Sequence, residues 1–402
     1  MVLRLSFRSW LKKLVKILLI LLLLIVLVVA SSIVFAEIRR NQTLVLPAPT
    51  GPYAVGRMEY DWTDQARTDA LAPQAGARRE LVVWAWYPAT QVSGARVAAY
   101  LPQAWARLSD QQHGRIGQLL FQSNDSIQTH SVENARLATA ATRFPVLIFE
   151  PGLGNLPTQY TTLLEDLASH GYIIFAIAPT YSADVVVFPN GRVAEASAAG
   201  KPGDTPNEQA YTRLVTVWAQ DVVFVMNQLE RLNTISGTMW SQHLDLTRLG
   251  IFGHSFGGAT AAQVCLMDVR CKAGIDLDGS LFGPVVQTGL RKPFLVIQSE
   301  PCSTSDCRTF QSEIQAILRT VPNHEGYHLT IKGVQHYNFS DSAVYFSPER
   351  ALGVLGSIDG ARGLQITRAY VRAFFDRYLN EIPAPLLQGP SRAYPEVQFL
   401  GS

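Results

Sequence analysis

The chain has 402 residues, 48% hydrophobic and 16% charged, which is enough apolar material for a large buried core and too much for a disordered or collagen-like chain. The formal net charge of +2 hides an asymmetry. The first 36 residues carry five basic and no acidic side chains, and subtracting those five charges leaves the remainder at −3. A mildly acidic body lacks the basic footprint of nucleic-acid binders, so no nucleic-acid partner is expected.

In chain order, the leader comes first. Arg4, Arg8, Lys12, Lys13 and Lys16 precede an uncharged run from Ile17 to Ala36, about 30 Å long as a helix and able to cross a bilayer. A secretory signal has a shorter apolar core, so residues 1–36 read as a basic cytoplasmic leader with an uncleaved transmembrane signal anchor. Basic residues before the run outnumber Arg39 and Arg40 after it, which places the body outside the cytoplasm, periplasmic or extracellular. Val34-Phe35-Ala36 keeps the other reading open, cleavage near Ala36 and secretion.

Residues 37–79, rich in Pro, Gly, Ala and turn formers, read as a linker and irregular segment. Residues 80–402 then alternate strand and helix patterns. Strands are expected at Glu80 to Tyr87, Pro145 to Phe149, Tyr172 to Ala178, Leu249 to Gly253, Ala273 to Leu277, Phe294 to Gln298 and His328 to Ile331. Helices are expected at Thr158 to His170, Asn207 to Leu232, Phe256 to Asp268, Phe310 to Thr320 and Leu364 to Leu379. Apolar strands separated by helices predict one α/β domain with an open, mostly parallel sheet covered on both faces. Two segments, 98–143 and 181–206, interrupt the alternation and read as insertions that build lids or substrate walls, the second with a hairpin at Asn190-Gly191. Four cysteines suit an oxidising compartment; local pairing, Cys265 with Cys271 and Cys302 with Cys307, is the simplest expectation, and an inert buried thiol at Cys265 is the other.

The strongest site signal is Gly253-His254-Ser255-Phe256-Gly257-Gly258, a G-x-S-x-G between an expected strand and helix. Such a turn holds a serine hydroxyl exposed at a sheet edge, and small flanking residues let strand and helix pass closely. A serine needs a base, and the base needs an orienting carboxylate. In the order Ser, acid, His, the base is His336, in the loop after the strand ending at Ile331. Position leaves two acids open: Asp278, ending the strand after the serine's helix, and Glu300, ending the next. Oxyanion donors are expected from the backbone N–H groups of Phe256 and of Leu153, in the Glu150-Pro-Gly-Leu-Gly loop. His324-Glu-Gly-Tyr-His328 matches the H-E-x-x-H zinc motif, but Gly326 and an alternating strand beginning at His328 break the required helix, so neither metal nor cofactor is expected.

These pieces together resemble the platelet-activating factor acetylhydrolase family of the plasma and type-II branch of the α/β-hydrolases, over about residues 80 to 380. The resemblance rests on Pro145-Val-Leu-Ile-Phe-Glu-Pro-Gly-Leu-Gly, Asp166-Leu-Ala-Ser-His-Gly-Tyr, Gly253-His-Ser-Phe-Gly-Gly, Leu277-Asp278, Ser299-Glu300 and Gly333-Val-Gln-His-Tyr-Asn-Phe. It implies an α/β-hydrolase fold, Ser255 as nucleophile, Asp278 as acid and His336 as base, with Glu300 matching a family glutamate outside the triad. It also implies calcium-independent hydrolysis of short sn-2 acyl groups of phospholipids. The family usually has His-Gly where this chain has Pro151-Gly152, a loop shared with general carboxylesterases and cutinase-like polyester hydrolases, which are the alternative. A non-catalytic binding protein on the same fold is the reading from another class.

Overall fold

The computed structural model describes residues 3–91, 94–119, 121–203, 208–300, 305–345 and 352–400. Leu3–Asn41 is one helix, α1, whose long apolar run has no buried face. It ends five residues later than the expected anchor and is docked at its last turn. The Arg40 carbonyl accepts from Ser123 N–H (2.9 Å), Gln122 Nε2 (3.1 Å) and the Ser126 hydroxyl (3.2 Å). The Arg40 guanidinium lies 3.6 Å from the Asp110 carboxylate. Only Gln42 and Thr43 separate this helix from the first strand.

The strands follow as β1 (Leu44–Val45), β2 (Ala54–Thr68), β3 (Arg78–Ala89), β4 (Val97–Ala99), β5 (Ile127–Glu133), β6 (Phe144–Glu150) and β7 (Ile173–Ala178). Next come β8 (Val185–Val187), β9 (Val193–Glu195), β10 (Leu244–His254), β11 (Ala273–Leu277), β12 (Phe294–Gln298), β13 (Gly326–Ile331) and β14 (Val397–Phe399). The helices of the body are α2 (Gln103–Gln118), α3 (Thr161–Ser169), α4 (Glu208–Thr234), α5 (Phe256–Met267), α6 (Pro284–Thr288), α7 (Ser305–Leu318) and α8 (Gly360–Leu379).

Among the described residues, twelve strands form one sheet in the order β1-β5-β2-β3-β7-β6-β10-β11-β12-β13-β14, with β4 paired to β5. The block β7-β6-β10-β11-β12-β13 is parallel throughout. Every residue of β6, β7, β11 and β12 is buried, because helices cover both faces of the sheet. Alternate side chains serve different cores: Leu147 and Phe149 pack on one face, Val146 and Ile148 on the other.

The chain runs from β6 outward to β7 on one side, then returns through α4 to β10 on the other. The loops leaving β6 and β10 therefore diverge and open a crevice at the carboxyl ends of those strands, where ligands of open α/β sheets bind.

Two sequence expectations change. Residues 54–68, expected to be irregular, form β2, which pairs antiparallel with β3 continuously from Ala54 to Asp64 and, after a register shift, again at Thr68. Its outer face is polar: Glu59 and Asp61 are exposed between half-buried Met58, Tyr60 and Trp62, so its composition resembles a linker while its alternation is that of a strand. In the 98–143 insertion, Ile127–Glu133 joins the sheet as β5, and α2 remains as a wall element. In the 181–206 insertion, β8 and β9 form a hairpin whose turn holds Gly191 at φ 82°.

A buried ionic knot fixes α4 against β3. The Arg79 guanidinium, 1% exposed, lies 2.6 Å from Asp221 and 3.2 Å from Asp69, and donates to the Thr180 carbonyl at 2.9 Å. Burial alone would lower its pKa, but the two carboxylates outweigh this and leave it raised.

Candidate active site

Ser255 occupies the turn from β10 to α5 with φ 55° and ψ −122°, a strained conformation for a residue with a Cβ. The glycines around it are required by contact. A Cβ on Gly253 would lie 2.2 Å from the Gly257 carbonyl carbon, and one on Gly257 would lie 2.1 Å from the Glu150 oxygen. Strand β6, strand β10 and α5 thus meet at backbone distance, and the serine is pushed out toward the crevice.

Asp278 follows β11 with φ 59°. Its Oδ1 accepts from Ser299 N–H at 2.7 Å, and its Oδ2 accepts from His336 Nδ1 at 2.7 Å. Glu300, the other candidate acid, makes a different contact: its Oε2 accepts from Gly333 N–H at 2.9 Å and ties down the loop that carries His336. Ser255, Asp278 and His336 line one cavity of about 450 Å³. No hydrogen bond joins the Ser255 hydroxyl to His336 among the described residues. Such bonds are often long before substrate tightens them.

The loop after β6 has one main-chain donor to spare. Pro151 has no N–H, Gly152 donates to the Tyr160 hydroxyl (3.1 Å), Gly154 to the Ser182 carbonyl (3.0 Å) and Asn155 to the Gly152 carbonyl (2.9 Å). Leu153 N–H has no such partner among the described residues, and Leu153 lines the cavity. Phe256 opens α5, so no carbonyl within the helix can accept its N–H. The far wall is aromatic: Tyr211 stacks on Phe282 at 5.0 Å beside Phe256. A second cavity of about 290 Å³ lies beyond the same two loops, bounded by Gly154, Asn155 and Tyr337 and, on its outer side, by Arg40 and Asp110.

His324 and His328 occupy a turn and a strand, so no helix face brings them together. His328 is buried with Nε2 2.5 Å from Gln298 Oε1, and burial pushes its pKa down to about 4. Its neutral form therefore stabilises the fold above pH 6.5, and this contribution is lost as pH falls toward 4. Asp341, which burial pushes up to about 7, acts in the opposite sense. The test is consequently a difference: between pH 6.5 and 5 the urea stability of His328→Gln should gain about 2 kcal/mol relative to wild type. Parallel stability curves would refute it.

Cys265 and Cys271 form a disulfide at the end of α5. Cys302 and the Cys307 side chain lie outside the described residues. Tyr160 and His254, buried beneath Ser255, were not singled out by the sequence as partners; they meet across 94 positions, and no local pattern signals the contact.

Comparison with known proteins agrees with this architecture. The family profile of platelet-activating factor acetylhydrolase, isoform II, matches residues 38–193 and 225–382. The "Probable 1-alkyl-2-acetylglycerophosphocholine esterase" of Arthroderma benhamiae is 29% identical over 382 residues, covering 89% of this chain and 94% of that protein. The platelet-activating factor acetylhydrolase of Cavia porcellus is 27% identical over 293 residues, covering 66% of this chain and 64% of its own length. Among solved structures, a ferulic acid esterase from Streptomyces cinnamoneus superposes with a TM-score of 0.74 at 31% identity, covering 90% of this chain and all of that one. With the sheet order, the crevice and these likenesses in agreement, the chain belongs to the platelet-activating factor acetylhydrolase isoform II family and is a carboxylic ester hydrolase.

Proposed function

We propose that this protein is a membrane-anchored serine esterase whose triad is Ser255, His336 and Asp278. The observation that carries the reading is the Asp278–His336 pair at 2.7 Å facing the same cavity as a serine on a strained turn. Asp278 holds the imidazole with Nδ1 protonated, which leaves Nε2 free to accept the Ser255 proton. Ser255 Oγ then bonds to the ester carbonyl carbon, and the carbonyl π electrons move onto oxygen, where the Leu153 and Phe256 N–H groups receive the charge. Collapse of the tetrahedral intermediate breaks the bond to the alcohol oxygen, which leaves with the proton from His336. Water, deprotonated by the same imidazole, releases the acid and restores Ser255. The cycle draws on no metal or cofactor.

For the substrate, the family and the Arthroderma benhamiae relative support short acyl esters of phospholipids. A second reading, a general carboxylesterase, is favoured by the stacked Tyr211–Phe282 wall, which suits a flat or branched acid, and by the likeness to a ferulic acid esterase. Helix α1 is the membrane span in this proposal, with its basic start in the cytoplasm and the α/β body outside.

A fluorophosphonate probe should label the wild type and leave Ser255→Ala unlabelled. Hydrolysis of p-nitrophenyl esters and sn-2 phospholipids of increasing acyl length should be fastest for the shortest chains. Labelling of Ser255→Ala would overturn the nucleophile, and hydrolysis confined to water-soluble esters would overturn the phospholipid substrate in favour of the second reading.

A further inference from the structure

Beneath Ser255 runs a buried chain of hydrogen bonds that the reaction itself does not use. The Tyr160 hydroxyl lies 3.1 Å from Gly152 N, 2.9 Å from Asn155 Nδ2 and 2.8 Å from His254 Nδ1, and His254 Nε2 lies 2.9 Å from the carbonyl oxygen of His336. The direction of each bond follows from chemistry. A carbonyl only accepts, so His254 Nε2 carries a proton. Burial, with His336 beside it, lowers the His254 pKa well below its ordinary value, which keeps the ring neutral and makes Nδ1 an acceptor. Tyr160 must then donate its own proton to Nδ1, and its lone pairs accept from Gly152 N–H and the Asn155 amide. Every donor has one acceptor, and the set has no second arrangement that satisfies all its members.

The chain joins two segments that the chemistry needs in register. At one end it grips Gly152 and Asn155, which flank Leu153; at the other it grips the main chain of His336. Its middle is tightly enclosed: His254 is fully buried, its ring 4.5 Å from that of His336, and Tyr160 packs on Phe149 at 4.9 Å. A Cβ on Gly152 would stand 3.1 Å from His254 Nδ1 and 3.4 Å from Ser255 Cβ, so the loop rests directly on this bridge.

We propose that Tyr160 and His254 are positioning residues which set the distance between the Leu153 donor and the His336 imidazole. The inference rests on the serine-esterase reading above. Neither side chain touches substrate; each acts through the segment it holds. Displacement of a catalytic group by about 1 Å typically costs about 10²-fold in rate.

Tyr160→Phe keeps the ring and removes only the hydroxyl. In the full chain, with p-nitrophenyl acetate, the expected result is a fall in kcat of about 10- to 100-fold with KM within about twofold of wild type, because the ground-state ester does not depend on the oxyanion donors. A purely structural role would lower the melting temperature and leave kcat unchanged below it. Tyr160→Phe combined with His254→Phe should lose no more kcat than the worse single variant, since both break one chain. Tyr370→Phe, which removes a buried hydroxyl far along α8, should keep wild-type kcat. A folded Tyr160→Phe with kcat within threefold of wild type overturns the inference. Should that variant fail to fold, His254→Gln carries the same expectation and the same threshold. Ser255→Ala separates the two levels: if it stays active, the esterase reading fails; if it is inactive while Tyr160→Phe is normal, only the bridge fails.

Discussion

Asp278→Asn is expected to lower kcat by about 10⁴-fold, and Glu300→Gln by less than about tenfold. The contrast follows from who donates to whom. Ser299 N–H donates to Asp278 Oδ1, so an asparagine at 278 keeps its oxygen there and turns its NH₂ toward His336. That group can only donate, which forces the imidazole into the tautomer with a proton on Nε2, unable to take one from Ser255. Glu300 accepts from Gly333 N–H, a task that a glutamine oxygen performs equally well. Steady-state kinetics on a soluble ester decide the matter. Equal losses in the two variants would remove Asp278 from the proposed triad.

The second large effect concerns stability. Arg79→Met is expected to cost about 3–5 kcal/mol in urea unfolding, because it strands the Asp69 and Asp221 carboxylates in the interior. Arg67, 2.7 Å from Asp221, limits the loss without reaching Asp69 as a partner. Replacing Arg79 and both carboxylates together by apolar residues should recover most of the loss, since the penalty comes from unpaired charge rather than from the absence of an ion pair. A single variant within about 1 kcal/mol of wild type would refute the account.

How much of this was legible in the sequence depends on how local each constraint is. The Ser255 turn was readable because its geometry demands small residues at 253 and 257, two positions away on either side. The fully buried strands β6, β11 and β12 were readable because burial on both faces demands unbroken apolar runs. Asp278 and Glu300 were not separable by position, as both end strands of the same block; what separates them is which group of the loop after β13 each oxygen meets, the His336 imidazole or the Gly333 N–H. Strand β2 was hidden by its solvent-facing carboxylates. The Arg79–Asp221 pair spans 142 positions and the Tyr160–His254 contact 94, and distance of that kind leaves no periodic trace in a single chain.

The joint between α1 and the sheet has a mechanical consequence. With two residues between helix and strand, and the Arg40 carbonyl accepting from the segment just before β5, the end of α1 is fixed to the body rather than joined to it by a long tether. In a bilayer spanned as proposed, Arg40 stands about 6 Å past Ala36 along the helix, within the headgroup layer, which is about 5–7 Å thick on each side. In that placement the outer mouth of the smaller cavity, which Arg40 and Asp110 line, would face the headgroup layer.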